Sequence, residues 1–79
     1  MIGKTKLKGK KVKYLDDAGQ YRVKTVLRIS GNTLTVANKI KIGTKLRQWN
    51  KERITPKENK IFGVYYRNKI VEIDWSRGA

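Results

Sequence analysis

Seventy-nine residues without cysteine or histidine bound the chain to one small domain, with no disulfide, no thiolate site and no ordinary neutral-pH acid–base group. Lysine and arginine number 20 against 6 aspartate and glutamate, a formal net charge of +14, which exceeds what solubility requires and draws polyanions. DNA or RNA is therefore the first partner expected, with an acidic protein surface or an anionic membrane second. No stretch approaches the roughly 18 apolar residues of a bilayer span, and no apolar run follows the first lysines, so neither a membrane span nor a signal peptide is expected. That reading places the protein inside the cell, in cytoplasm or nucleoid.

Residues 1–10 carry Lys4, Lys6, Lys8 and Lys10, with Ile2 and Leu7 the apolar residues after Met1. They read as a basic arm, free to be flexible, that can lie along phosphates; the alternation around Lys6 also suits an edge strand guarded by lysines. Residues 11–15 alternate as a strand with Val12 and Tyr14 inward. Asp16-Asp17-Ala18-Gly19 is a turn signature, because an aspartate side chain can accept from the backbone ahead and glycine tolerates positive φ.

Residues 21–40 form the organising hairpin. Tyr21, Val23, Thr25, Leu27 and Ile29 fall on one face of the first run, with Arg22, Lys24, Val26 and Arg28 on the other. Leu34, Val36 and Ile40 share a parity in the second run, opposite Thr33, Thr35 and Lys39. A period of two with one apolar face is a half-buried antiparallel strand, and Gly31-Asn32 suits a tight turn. Ile42 keeps the parity of Ile40, and Gly43 ends the run. Residues 44–54 admit a loose helical face through Leu46, Trp49 and Ile54, or another short strand; the strand is preferred because the surrounding chain is strand-like.

Thr55-Pro56-Lys57-Glu58 carries a cap, a first-turn proline and a capping-box glutamate, and predicts one 3-10 turn over residues 55–59. A C-terminal hairpin follows: residues 61–66 and 70–75 are strands joined at Arg67-Asn68-Lys69, and residues 76–79 are a tail. Phe62, Val64 and Tyr66 share a face, and Val71, Ile73 and Trp75 alternate with Glu72 and Asp74. Phe62, Trp75, Tyr14 and Tyr21 are assigned to the core, while Trp49 and Tyr65 stand evenly between core and surface.

The chain is thus expected to be all-β: a small, curved antiparallel barrel or roll of five or six strands over residues 11–75. From its layout, an SH3-like arrangement is preferred over an OB-like one, which usually carries longer strands and a helix.

Little chemistry is legible. Asp16 and Asp17 lack the further oxygens that a hard cation needs, and Glu72 and Asp74 lack the partners a nuclease or glycosidase would add. The glycines build no phosphate loop. The chain is read as a non-enzyme without metal or cofactor. A geometric patch is more informative. Arg22, Lys24 and Arg28 on one strand, Lys39 and Lys41 on its partner, and Lys45, Arg47, Trp49 and Arg53 beyond them form the expected nucleic-acid-binding set. No acidic residue lies between Asp17 and Glu52. With no recognition helix, zinc finger or base-stacking motif in view, backbone contact with weak sequence preference is expected.

Overall fold

The computed structural model describes residues 1–76, so residues 77–79 of the expected tail lie outside the described residues. In chain order the elements are β1 (Ile2–Gly3), a 3-10 turn (Lys4–Lys6), β2 (Lys11–Leu15), β3 (Tyr21–Ser30), β4 (Thr33–Ile42), β5 (Lys45–Ile54), β6 (Ile61–Tyr66), β7 (Lys69–Val71) and β8 (Ile73–Asp74). Six of them make one antiparallel sheet in the order β5-β4-β3-β2-β6-β7, while β1 and β8 pair in parallel as a separate ladder.

The expected barrel does not close. β7 is three residues long and β8 leaves the sheet to pair with β1, so among the described residues no strand returns to the free edge of β5. That edge carries Lys45, Arg47, Lys51 and Arg53, which discourage pairing with another strand.

The turns follow their local chemistry. Asp16 Oδ1 accepts from the backbone N–H groups of Ala18 at 3.0 Å and Gln20 at 2.8 Å. Gly31 at φ 58° opens the two-residue loop between Ser30 and Thr33, and Arg67 and Asn68 at 52° and 64° form the turn into β7. The 3-10 turn expected at residues 55–59 is instead a hydrogen-bonded turn. Thr55 Oγ1 accepts from the Glu58 amide at 3.1 Å, and the Asn59 amide donates to the Thr55 carbonyl at 2.8 Å. The buried Asn59 side chain then donates to the Leu15 carbonyl at 3.0 Å and holds the turn against β2.

Three bulges decide which side chains face inward. β3 inserts Leu27 between the pairs Val26–Val36 and Arg28–Thr35. β5 sets Asn50 and Lys51 against Ala37, with Asn50 at φ 53°. β6 inserts Phe62 between the partners of Lys13 and Tyr14. Each extra residue bends its strand and reverses the parity beyond it. The predicted faces of β3 are corrected accordingly. Lys24 and Val26 point into the core and Tyr21 and Val23 point out; only past Leu27 do Ile29 and Arg28 take up their expected sides. Phe62, expected in the core, lies half-buried on the outer face for the same reason.

The core is Leu7, Val12, Tyr14, Val26, Leu34, Val36, Ile54, Val64 and Ile73, flanked by Ile2, Ile29, Ile61, Val71 and Trp75. Residues 1–10, read as a loose arm, are built into it. The Gly9 amide donates to the Val26 carbonyl and the Val26 amide to the Lys10 carbonyl, both at 2.8 Å, and Leu7 is wholly buried. The Tyr14 hydroxyl is buried without a hydrogen-bond partner among the described residues. Its burial, and then the nearby Glu52 carboxylate, raise its pKa above the ordinary tyrosine value.

Candidate nucleic-acid interface

The strands β4 and β5 run together past the core. Leu34, Val36 and Ile54 anchor their inner ends, but every residue from 39 to 51 is exposed. Register fixes two faces on this ribbon. Lys39 opposite Gln48 and Lys41 opposite Leu46 continue the outer face of the sheet. Ile40 opposite Arg47 and Ile42 opposite Lys45 continue the core side, as does Trp49 opposite Asn38. Trp49 is 45% exposed and therefore belongs to the surface of the ribbon.

The nine expected site residues divide by face. Lys24 is only 6% exposed; its Nζ donates to Glu52 Oε2 at 2.8 Å and to the Asn50 carbonyl at 2.9 Å. It braces the β5 bulge from inside, and its placement on the solvent face is corrected. Arg22 is spent locally as well. Its Nε donates to Asp16 Oδ2 at 2.8 Å and its guanidinium to the Gln20 side-chain oxygen at 3.0 Å. The Arg22 guanidinium, and then the Gln20 amide, hold the Asp16 carboxyl below its ordinary value.

Arg28, Lys39, Lys41 and Arg53 do share the outer face, where Arg28 and Arg53 flank Thr35 across three strands. Lys45, Arg47 and Trp49 lie on the opposite side of the ribbon. Two residues outside the expected set join the outer group. Lys8, Arg28, Lys39 and Lys51 line one shallow depression together with Gly9, Val26, Leu27, Thr35 and Gln48. No carboxylate lines it. Lys8 comes from the segment expected as a separate arm. Lys51 belongs to the acid-free interval and keeps the outward parity of Arg53, opposite to the buried Ile54.

Among the described residues, none of Lys8, Arg28, Lys39, Lys51 and Arg53 forms an ion pair, whereas the exposed Arg22 and the buried Lys24 do. The depression thus offers ammonium and guanidinium donors, with a hydroxyl and an amide between them, and can hold anionic oxygens at several points. Among the described residues, no three His, Cys, Asp or Glu come together to hold a metal ion, and no helix is long and apolar enough to cross a membrane.

No family model matches the chain, and neither the curated proteins nor the solved structures contain a match to it.

Proposed function

We propose that this is a non-enzymatic nucleic-acid-binding protein that grips the phosphate backbone of DNA or RNA through the outer face of β3, β4 and β5. The observation that carries this reading is the depression where Lys8, Arg28, Lys39 and Lys51 converge without a carboxylate, extended by Arg53 beside Thr35. Cations gathered this closely repel one another and weaken the compact state, so an anionic occupant relieves a standing strain. Phosphate contacts set position and carry no sequence information, so weak sequence preference goes with the reading. The curled sheet is closer to an SH3-like roll than to an OB-like barrel, because no helix separates its central strands, although such folds serve many functions.

Titrating duplex DNA, single-stranded DNA and structured RNA across salt concentrations tests it. If Lys8, Arg28, Lys39, Lys51 and Arg53 each neutralise one phosphate, log affinity for a duplex falls against log salt with a slope of about −4.5, or roughly 500-fold between about 50 and 200 mM. Lys8→Gln, Arg28→Gln, Lys39→Gln and Lys51→Gln should each flatten the slope by about 0.9. A flat slope, or no binding at low salt, would sink the proposal. It would favour the second reading, a module that docks on an acidic protein surface, which the exposed Ile40, Ile42, Leu46 and Trp49 of the ribbon suit.

A further inference from the structure

At the other end of β3, the same outer face is aromatic. Tyr21 is 65% exposed although it sits on a ten-residue strand, and its ring lies 5.4 Å from that of Phe62, which the β6 bulge turns outward. Lys13 Nζ lies over the Tyr21 ring at 5.1 Å and over the Phe62 ring at 5.7 Å, and Lys60 Nζ over the Phe62 ring at 5.1 Å, each distance to the ring centroid. Val23 is exposed beside them, and Lys11 and Tyr65 line the adjoining surface. An exposed tyrosine ring set against a half-buried phenylalanine, on a chain with so small a core, calls for an occupant. The lysines around it set the occupant's charge.

We propose that Tyr21 and Phe62 form a stacking platform for unpaired bases, with the flexible Lys13 and Lys60 side chains giving up the rings to the base and meeting its phosphates. A base presents a flat π face to an exposed aromatic ring, and base stacking on aromatics within a basic groove is how single strands are held without sequence preference. Tyr21 and Arg28 are separated by roughly 20 Å along β3 at the usual strand rise. One strand can therefore stack at the first end and lay its phosphates in the basic depression at the second. This inference rests on the nucleic-acid reading and deepens it: the ligand is a strand with unpaired bases, and because the base faces are alike, DNA and RNA both qualify.

The test uses the full chain with a short oligothymidine carrying one 2-aminopurine, an oligouridine of equal length and a duplex of the same length. Wild-type protein should quench the 2-aminopurine emission, as a stacked base does. Tyr21→Leu and Phe62→Leu should each weaken binding of both single strands by about tenfold, in keeping with stacking worth roughly 1–3 kcal/mol per base. They should leave duplex affinity and its salt slope unchanged, while Tyr21→Trp keeps single-strand affinity. Unquenched emission from a strand that binds wild-type protein overturns the platform without requiring any variant. So does single-strand affinity that survives both leucine replacements. If duplexes bind with a steep salt slope while emission stays unquenched, the platform falls alone. If quenching persists while the slope is flat, the basic depression falls alone, and if no strand binds, both fall.

Discussion

Lys24 and Glu52 make an asymmetric pair, and the asymmetry gives a quantitative prediction. The lysine is 6% exposed, beside its strand neighbour Val12, whereas the glutamate side chain keeps 37% of its surface in water. Glu52→Gln leaves a buried ammonium with the Asn50 carbonyl and an amide oxygen but no counter-charge. Breaking a fully buried pair from one side costs about 3–5 kcal/mol, and the partial exposure of Glu52 scales this to about 2 kcal/mol. Lys24→Met fills the same space with an apolar chain and leaves a carboxylate that water can reach. Its cost is about 1 kcal/mol or less, mostly the lost donor to Asn50.

For a domain of this length, with a stability of about 4–12 kcal/mol, the first change is large. It lowers the melting temperature by roughly 8–16 °C. Urea unfolding, followed through the fluorescence of Trp75 against the core, measures both variants. The double variant should be no less stable than Lys24→Met alone, and Lys24→Met should bind nucleic acid as the wild type does. If Lys24→Met costs as much as Glu52→Gln, the ion pair is a net source of stability and the reasoning fails. If Lys24→Met weakens binding, the lysine is not confined to the inner face.

Asp16 supplies a pH prediction. Its folded-state value lies below the ordinary 3.8, so its ionised form stabilises the fold above that pH, and the contribution is lost as pH falls through the lowered value. The deficit of Asp16→Asn relative to wild type, read from urea midpoints, should be constant near neutrality and shrink below pH 3.8; a deficit that persists in strong acid would place the effect in the turn rather than in the charge. Gly63→Ala should destabilise by roughly 2 kcal/mol or more, because a Cβ there would lie 2.5 Å from the Val71 carbonyl oxygen at a φ of 156°. A melting temperature equal to that of wild type would show that β7 can move aside.

The strands and turns were legible because their causes are local. Alternation marks β2, β3 and β4, and the side chain of Asp16, the glycine at 31 and the Arg67-Asn68 pair act within a few residues of themselves. Facing was not legible, because one inserted residue reverses a strand. Nothing in the sequence around Leu27, Asn50 or Phe62 announces an insertion. Parity carried across them puts Lys24 outside and Tyr21 inside, the reverse of what the partner strands impose. Leu7 was hidden in another way. Among lysines it looks incidental, and it is buried where the backbone just after it, at Gly9 and Lys10, is hydrogen-bonded to Val26 of β3. The candidate interface was legible as charge, and Arg28, Lys39, Lys41 and Arg53 do share one face. Lys8 joins them because its neighbours Gly9 and Lys10 are hydrogen-bonded to Val26, and Lys51 because it alternates with the inward Glu52.

The distribution of the acids bears on why the outer face is basic. Asp16 is committed to its turn and to Arg22, and Glu52 meets Lys24 from the core side. Solubility alone would be served better by mixed signs, which also lower self-repulsion. Here the Asp16 and Glu52 carboxylates are taken up by Arg22 and Lys24, and among the described residues the cations of the depression are left without an ion pair. Alternation along the end of β5 produces both results at once: counted from the buried Ile54, Glu52 faces in to Lys24, while Lys51 faces out to the depression with Arg53. A one-signed surface set by the same alternation that pairs the buried lysine costs stability wherever it is unoccupied. A polyanion that occupies it offsets that cost, whereas a face kept only for solvation would gain nothing from leaving its cations unpaired.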